Sequence, residues 1–182
     1  MTSAPPLWKH PMRRAARRLS PADSLDILRR GTWGVLSLVS PGGQPYGVPL
    51  NYALWEPEPL PTLPATTDEP FPAGFSLVFH CALEGLKLDI LSASPSACFT
   101  VAPDVEIDPA LLTTRYQSAQ AFGMVRLITD ERRDAALRHL GLRFSAACPE
   151  ALAAALEAKT SKPAILLLDI QGLSGKFNDK RH

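Results

Sequence analysis

One lysine of this sequence lies where an amphipathic helix would be expected to carry an apolar residue. The stretch LEGLKLDILSAS predicts a helix from Leu83 to Ser94. Its apolar stripe would comprise Leu83, Leu86, Ile90 and Ala93. Lys87 falls on that stripe. Such a lysine either meets an anion near the start of the helix or covers apolar surface with its stem while the amine reaches water. The residues alone favour the second arrangement.

Two histidines are further side chains that could take part in acid–base or metal chemistry. His80 ends the apolar run FSLVFHC, next to Cys81, whereas His139 is expected on the charged face of a helix. A single histidine at the end of an apolar strand is usually a hydrogen-bonded core residue. A metal or haem site at His80 and Cys81 is the alternative.

The signatures of several common enzyme classes are absent from the sequence. It contains no GxGxxG, GxxxxGK[ST], HExxH or GxSxG motif. A dinucleotide-binding fold, a P-loop enzyme, a zincin and an α/β-hydrolase would each lack their usual residues. Catalysis by any of these mechanisms is therefore not expected.

Composition limits the partners and the compartment of the protein. The net charge of +1 argues against nucleic acid, since nucleic-acid-binding proteins usually carry a strong basic field. Three well-separated cysteines without CxxC spacing predict a reducing compartment. No apolar run approaches the ~18 residues that cross a bilayer. We therefore expect a cytoplasmic protein with no membrane span.

The N-terminal half predicts one helix and one hairpin. In SPADSLDILRRG, Ser20 can cap a helix, Pro21 suits its first position, and Gly31 can end it in a left-handed conformation. The runs WGVLSLVS and QPYGVPLNYALW are rich in β-forming residues, and PGGQ between them provides a tight turn. Together these two runs predict a β-hairpin.

The rest of the chain adds strands and helices in an irregular order. Strands are predicted at FSLVFHCA, ACFTVAP and KPAILLLDIQGLSGKF, and a long strand bent near Gly123 at TTRYQSAQAFGMVRLITD. DERRDAALRHLGLRF and PEALAAALEA predict helices. About six strands without regular βαβ alternation favour a mainly β (α+β) fold, an antiparallel barrel with peripheral helices.

Three segments, in this order and spacing, carry a resemblance to a known family. GVLSLVSPGGQPYGVPLNYAL, FHCALEGLKLDILSASPSACFTV and TTRYQSAQAFG resemble the pyridoxamine 5′-phosphate oxidase-like flavin-binding split-barrel family, in particular its nitroimidazole-resistance branch. The LSGK sequence from Leu173 to Lys176 is similar to a short ending of that branch. The resemblance covers most of the chain from Gly34 onward.

The resemblance implies a six-stranded split β-barrel that forms a homodimer and holds FMN between its subunits, with FAD as the other possible flavin. It assigns backbone groups of the VPLNY segment to the flavin edge, the FHCALEGLK segment to the ribityl phosphate, and the RYQS segment to the ring from the other subunit. The residues so implied are Val48, Pro49, Leu50, Asn51, His80, Ala82, Lys87, Gln117 and Ser118. With the resemblance included, a phosphate partner is the favoured interpretation of Lys87.

These implications lead to a functional expectation and an alternative. The chain is expected to be an FMN-dependent oxidoreductase acting on a small molecule, with His80 as the candidate proton donor. Oxidation of pyridoxamine phosphate is less favoured, because no second cationic cluster is present for a substrate phosphate. The alternative is a non-enzymatic protein that binds or senses flavin or haem.

Two segments lie apart from one expected domain spanning residues 1–182. The basic lead-in, residues 1–19, is expected to be solvated and partly frayed, with an anion-binding arm as the alternative. The proline-rich insertion, residues 56–74, replaces a short turn of the family. We expect it to be a loop outside the barrel that is dispensable for folding and alters access to the flavin.

Overall fold

Nine β-strands form one antiparallel sheet in the computed structural model of the chain, which describes residues 5–157 and 163–178. The strands are β1 (Arg18–Leu19), β2 (Trp33–Val39), β3 (Pro45–Asn51), β4 (Ala53–Trp55), β5 (Ser76–Cys81), β6 (Ser96–Val101), β7 (Val105–Asp108), β8 (Thr113–Ile128) and β9 (Ala164–Asn178). The helices are α1 (Pro21–Arg30), α2 (Leu86–Ala93), α3 (Arg132–Ser145) and α4 (Pro149–Glu157).

The order of the strands curls the sheet into a barrel. The main path runs β3-β2-β6-β8-β9-β5-β4, with β1 paired to β9 and β7 paired to β8. Strands β3 and β4 lie at opposite ends of this path, yet Tyr52 is the single residue between them. The two ends of the sheet must therefore approach each other, and β3 lies against β5.

The expected fold class, an antiparallel barrel with peripheral helices, is confirmed, although the sheet has nine strands rather than six. The six long strands are β2, β3, β5, β6, β8 and β9. Strands β1, β4 and β7 contain two to four residues each. Strands β1 and β7 are too short to display a recognisable alternation of apolar and polar residues, so the sequence did not predict them, whereas β4 lies within the predicted run QPYGVPLNYALW.

Helix α1 begins as its sequence predicts and ends differently. The Ser20 hydroxyl accepts a hydrogen bond from the Asp23 N–H at 3.1 Å, which confirms the cap. The left-handed conformation predicted for Gly31 is wrong, because its φ is −65°. A Cβ at Gly31 would lie 2.5 Å from both the Tyr52 hydroxyl and a Val101 methyl group. Close packing against the barrel, rather than backbone conformation, accounts for this glycine.

Two apolar clusters hold the elements together. The larger cluster fills the barrel and includes Leu36, Phe79 and Phe99, together with Leu25 and Leu28 of α1. The smaller cluster lies between the sheet and α3; its members are Ala53, Val78, Ile128, Ala136, Leu137, Leu140, Ile165 and Leu167. Helix α3 is therefore fixed to the outer side of the sheet by buried apolar contacts.

The sequence predicted His139 on the charged face of a helix, but in the structure this residue of α3 lies against β4. Its ring stacks on Trp55 with the centroids 5.4 Å apart, and its Nε2 lies 2.8 Å from the Leu54 carbonyl oxygen. The contact attaches α3 to β4.

None of the helices in the described ranges has both the length and the apolar character needed to cross a bilayer.

The basic lead-in is docked on the barrel over residues 5–19, while residues 1–4 lie outside the described ranges. Trp8 packs against Phe122, with the ring centroids 5.9 Å apart, and covers Gly172, where a Cβ would overlap the indole. Arg18 donates to the Thr67 hydroxyl at 3.0 Å. Residues 5–19 are solvated as expected, since none of them is buried, but they are not frayed, because Trp8 and Arg18 fix them to the barrel.

The proline-rich insertion is a loop, as predicted, but it is attached to the core. Residues 56–74 form no helix or strand. Leu63 and Phe71 pack against the barrel cluster, and the Phe71 ring lies 5.2 Å from that of Phe75. These apolar contacts do not favour the expectation that the segment is dispensable for folding.

Candidate functional site

A cavity of about 1080 Å³ opens between the barrel edge and the α3–α4 pair. Its lining residues come from β3, from the end of β5 and the loop after it, from α2, and from α3 and α4. They are Val48, Leu50, His80, Cys81, Ala82, Leu83, Glu84, Lys87, Leu137, Leu140, Gly141, Phe144, Ser145, Ala151, Leu152 and Pro163. No residue of the insertion between 56 and 74 is among the described residues that line this cavity, so the expected covering of the site by that loop is not observed.

Strand β3 contributes only alternate residues of its VPLN sequence to the cavity. Val48 and Leu50 line it, whereas Pro49 and Asn51 lie on the opposite face of the strand, because successive side chains alternate. The Asn51 side-chain amide donates to the Thr32 carbonyl oxygen at 3.0 Å. Since β3 ends the strand path, Pro49 is accommodated on an edge strand.

Helix α2 begins three residues later than the sequence predicts, and this changes the surroundings of Lys87. Gly85, with φ of +129°, precedes the helix, which starts at Leu86. Leu83 therefore lies outside the helix and is exposed, as is Leu86, whereas Ile90 and Leu91 are buried. The predicted apolar stripe through Leu83 and Lys87 is wrong, because Gly85, in the left-handed region of φ, prevents one helix from including both residues.

Lys87 occupies the second position of α2 and lines the cavity. Gly85 has no side chain that could cap the first amide groups of the helix. Within residues 5–157 and 163–178, Lys87 forms no ion pair. Burial raises the pKa of the nearby Cys81 thiol, and the Lys87 charge acts in the opposite direction. This end of the cavity thus presents an ammonium group and free helix N–H groups, which suit an anion.

His80 is the second-to-last residue of β5, and it is exposed and lines the cavity. Partial desolvation by the surrounding walls lowers the pKa of the imidazole from its ordinary value of 6.5. The ring is therefore uncharged at neutral pH, when it can accept a proton or bind a metal through nitrogen. Ala82 follows in the loop, so His80, Ala82 and Lys87 share one side of the cavity.

Gln117 and Ser118 lie elsewhere in the same chain. Gln117 lines a separate cavity of about 650 Å³ beside β7 and accepts a hydrogen bond from Arg30 at 2.9 Å. The Ser118 hydroxyl lies 3.5 Å from the Lys176 carbonyl oxygen, which it can contact as a donor. Their assignment to a flavin bound by the other subunit stays a prediction.

The α3–α4 side of the cavity is the part that sequence reasoning missed. Leu137, Leu140, Gly141 and Phe144 recur at helical spacing and form one face of α3. The periodicity predicted the helix but could not indicate what its apolar face would contact. One available signal was Phe144, a large aromatic residue near the end of an amphipathic helix.

The fold recurs in solved structures of low sequence identity. A candidate 5-nitroimidazole antibiotic resistance protein from Bacteroides thetaiotaomicron has 17% identity, covering 88% of this chain and 86% of its own, with a TM-score of 0.62. An FAD and haem binding protein from Mycobacterium smegmatis has 20% identity, covering 90% and 74%, with a TM-score of 0.67. An FAD-binding protein from Mesorhizobium loti has 20% identity, covering 90% and 98%, with a TM-score of 0.58.

The sequence itself also matches a family. Among curated proteins, none matches the chain. The profile of the family described as pyridoxamine 5′-phosphate oxidase matches residues 20–177, which include every strand from β2 to β8 and nearly all of β9. The chain therefore belongs to the pyridoxamine 5′-phosphate oxidase family.

Proposed function

We propose that this protein binds a flavin, FMN in the first instance, and uses it as an oxidoreductase acting on a small molecule. The observation that carries the proposal is the convergence on one cavity of five residues from β3, β5, α2 and the loop between β5 and α2, with the ammonium group of Lys87 at the start of α2. The five are Val48, Leu50, His80, Ala82 and Lys87.

The residues of the cavity fit the chemical parts of FMN. Lys87 and the first amide groups of α2 would hold the phosphate, since both favour negative charge. Val48 and Leu50 offer apolar surface to a flat ring, and the backbone of β3 can supply hydrogen-bonding groups at its edge. Glu84, on the same side, also lines the cavity, and its carboxylate would oppose an anion bound close to it.

A bound flavin supplies the two-electron chemistry, and the chain supplies binding, orientation and proton control. His80 is the proposed proton donor. Because its lowered pKa keeps the imidazole uncharged at neutral pH, the ring would first take up a proton and then donate it as the imidazolium, so this role would weaken as the pH rises. The apolar walls around it would limit the access of water.

The names of similar proteins support a flavin in general more than FMN in particular. Two of them are described as binding FAD, one of these together with haem. FMN is proposed first because Lys87 provides one cationic site, suited to one phosphate group, on this side of the cavity.

We also propose that the flavin site is completed by a second copy of the chain. Gln117 and Ser118 are not among the described residues that line the cavity of their own chain, so a second copy of the chain would have to bring them there. Large apolar side chains lie exposed near them; these are Val105, Ile107, Leu111 and Leu112, in β7 and the turn that follows it. Such a patch is typical of surfaces that bind another protein.

The test is an absorption spectrum of the purified protein, recorded without oxygen before and after addition of NADH or NADPH. A flavin spectrum that bleaches with either donor and recovers with an acceptor is the expected result. High-performance liquid chromatography of the released cofactor then distinguishes FMN from FAD. A protein that neither carries nor binds added flavin would disprove the proposal.

The second candidate is a protein that binds flavin or haem without catalysis. It is favoured by one observation, the uncharged imidazole of His80 directed to a large cavity, because neutral imidazole is the form that binds haem iron. A Soret band that is lost in His80→Ala would support haem binding. A flavin that no physiological donor reduces would support a binder.

A further inference from the structure

The side of the cavity formed by α3 and α4 has a different chemical character from the side that holds Lys87. Among the described residues that line the cavity on this side, Ser145 has the only polar side chain. The titratable lining residues His80, Cys81, Glu84 and Lys87 all belong to the β5–α2 side. The cavity thus has a polar side and an apolar side facing each other.

The apolar side is held rigidly in place. Leu137 and Leu140 belong to the buried cluster between the sheet and α3. Helices α3 and α4 touch closely at Gly141, where a Cβ would overlap the side chain of Leu152. A wall fixed by buried contacts on both helices is preformed, which reduces the entropic cost of binding a ligand.

Phe144 is the aromatic residue of this wall, and it is incompletely covered by the rest of the chain. The residue is 41% exposed although it lines the cavity. The preceding residue, Arg143, donates to the carbonyl oxygens of Arg29 and Gly31, each at 2.6 Å. These two bonds fix the end of α3 to the end of α1, and so hold the Phe144 ring at the cavity.

The cavity is large for a single small ligand. Its volume of about 1080 Å³ lies just above the roughly 300–1,000 Å³ typical of pockets that hold one drug-sized ligand. A flavin held by Lys87, Val48 and Leu50 would leave the α3–α4 side open. A charged group placed there would lose water without gaining a partner, which is unfavourable.

We propose that the α3–α4 side is a binding subsite for a flat, uncharged aromatic molecule, with Phe144 as the residue that selects it. The identification of this molecule as the substrate of the flavin rests on the proposed function above, whereas the existence of the subsite does not. Phe144 contributes ring contacts that a smaller side chain cannot make.

The experiment measures binding of N-phenyl-1-naphthylamine, an uncharged aromatic compound whose fluorescence rises in apolar surroundings, to the full chain with and without FMN. Phe144→Ala should weaken the affinity about tenfold, the upper range for loss of an aromatic contact. Leu142→Ala is the matched control, because Leu142 is also on α3 and 56% exposed but does not line the cavity. It should leave the affinity unchanged.

Two comparisons separate this inference from the proposed function. Lys87→Gln should abolish most FMN binding and leave binding of the naphthylamine intact. Competitive displacement of the naphthylamine by FMN would overturn the separate subsite while supporting a flavin cavity. Failure of FMN to bind at all would overturn the proposed function, and the effect of Phe144→Ala on the naphthylamine would still be measured on the same protein.

A third outcome would show that the α3–α4 side binds a second copy of the chain and not a small molecule. If Phe144→Ala leaves the affinity for the naphthylamine unchanged but lowers the mass measured by light scattering, this face contacts a second copy of the chain. That result would overturn the subsite.

Discussion

The carbonyl group of Asp169 lies directly against the Cα of Gly123, so that a Cβ at Gly123 would overlap the Asp169 oxygen. The contact occurs where the pairing of β8 with β9 shifts register, between Phe122 and Gly123. Asp169 cannot easily move away, because its carboxylate accepts from Ser76 at 2.8 Å and pairs with Arg126 at 2.5 Å. Gly123 therefore makes the bend of the long strand possible.

Gly123→Ala should destabilise the protein by about 1–3 kcal/mol, the usual cost of forcing an extra methyl group into a packed site. Urea unfolding followed by tryptophan fluorescence provides the measurement. Gly42→Ala is the control, because the nearest atom to a Cβ there is 3.9 Å away and that φ is not positive. Equal stability of the two variants would show that the strand can bend without glycine.

Lys87→Ala should weaken binding of FMN by about 1.5–3 kcal/mol, the range for a hydrogen bond to a charged group. Riboflavin lacks the phosphate, so wild type and variant should bind it equally. Lys87→Arg retains the charge and should retain much of the affinity. Isothermal titration with both ligands gives the values, and a loss of apoprotein stability without selective loss of FMN would instead assign the lysine stem to surface packing.

Phe71→Ala should lower the free energy of unfolding by about 2 kcal/mol, somewhat less than for a fully buried phenylalanine. The reason is its contact with Phe75 and the barrel core. Leu60→Ala, in the same loop but exposed, should change stability by less than about 0.5 kcal/mol. Thermal unfolding of both variants compares them, and an unchanged Phe71→Ala protein would restore the expectation of a dispensable insertion.

Exposed apolar residues near Gln117 should hold the proposed homodimer together. Ile107 and Leu112 are 75% and 94% exposed, and Leu112 has a positive φ of 46°, which is unfavourable for leucine. The double variant Ile107→Asp and Leu112→Asp should therefore be monomeric at micromolar concentration. Light scattering measures the mass, with Leu142→Asp as the control on another surface. A wild-type monomer with cofactor bound would contradict the proposal.

Local signals in the sequence predicted the elements that depend on local chemistry. The Ser20 cap needs only the Asp23 amide three residues away, and the PGGQ turn needs only residues that tolerate a tight reversal. Gly123 was identified as a bend because glycine interrupts a β-rich run. Each of these features is encoded within a few residues of the position concerned.

Features that depend on distant contacts were not predictable in the same way. The start of α2 depends on the conformation of Gly85, and Gly31 is needed because Tyr52 and Val101 pack against it. The family resemblance predicted Val48, Leu50 and His80, which line the cavity, because it assigns roles to positions in the sequence without requiring their contacts to be known. The α3–α4 wall required the tertiary structure, because an apolar helix face does not specify its neighbour.

Strand β9 is the last strand of the described chain and yet lies between β8 and β5 in the sheet. Within the described residues, β5 pairs with β4 and β9 alone. During translation, the β2–β3 hairpin can form as soon as it leaves the ribosome, because its strands are adjacent. The apolar β5 must wait for β9, and its unpaired edge is meanwhile open to aggregation. We therefore expect that His80 and Ala82 reach their positions only after β9 has been synthesised and has paired with β5.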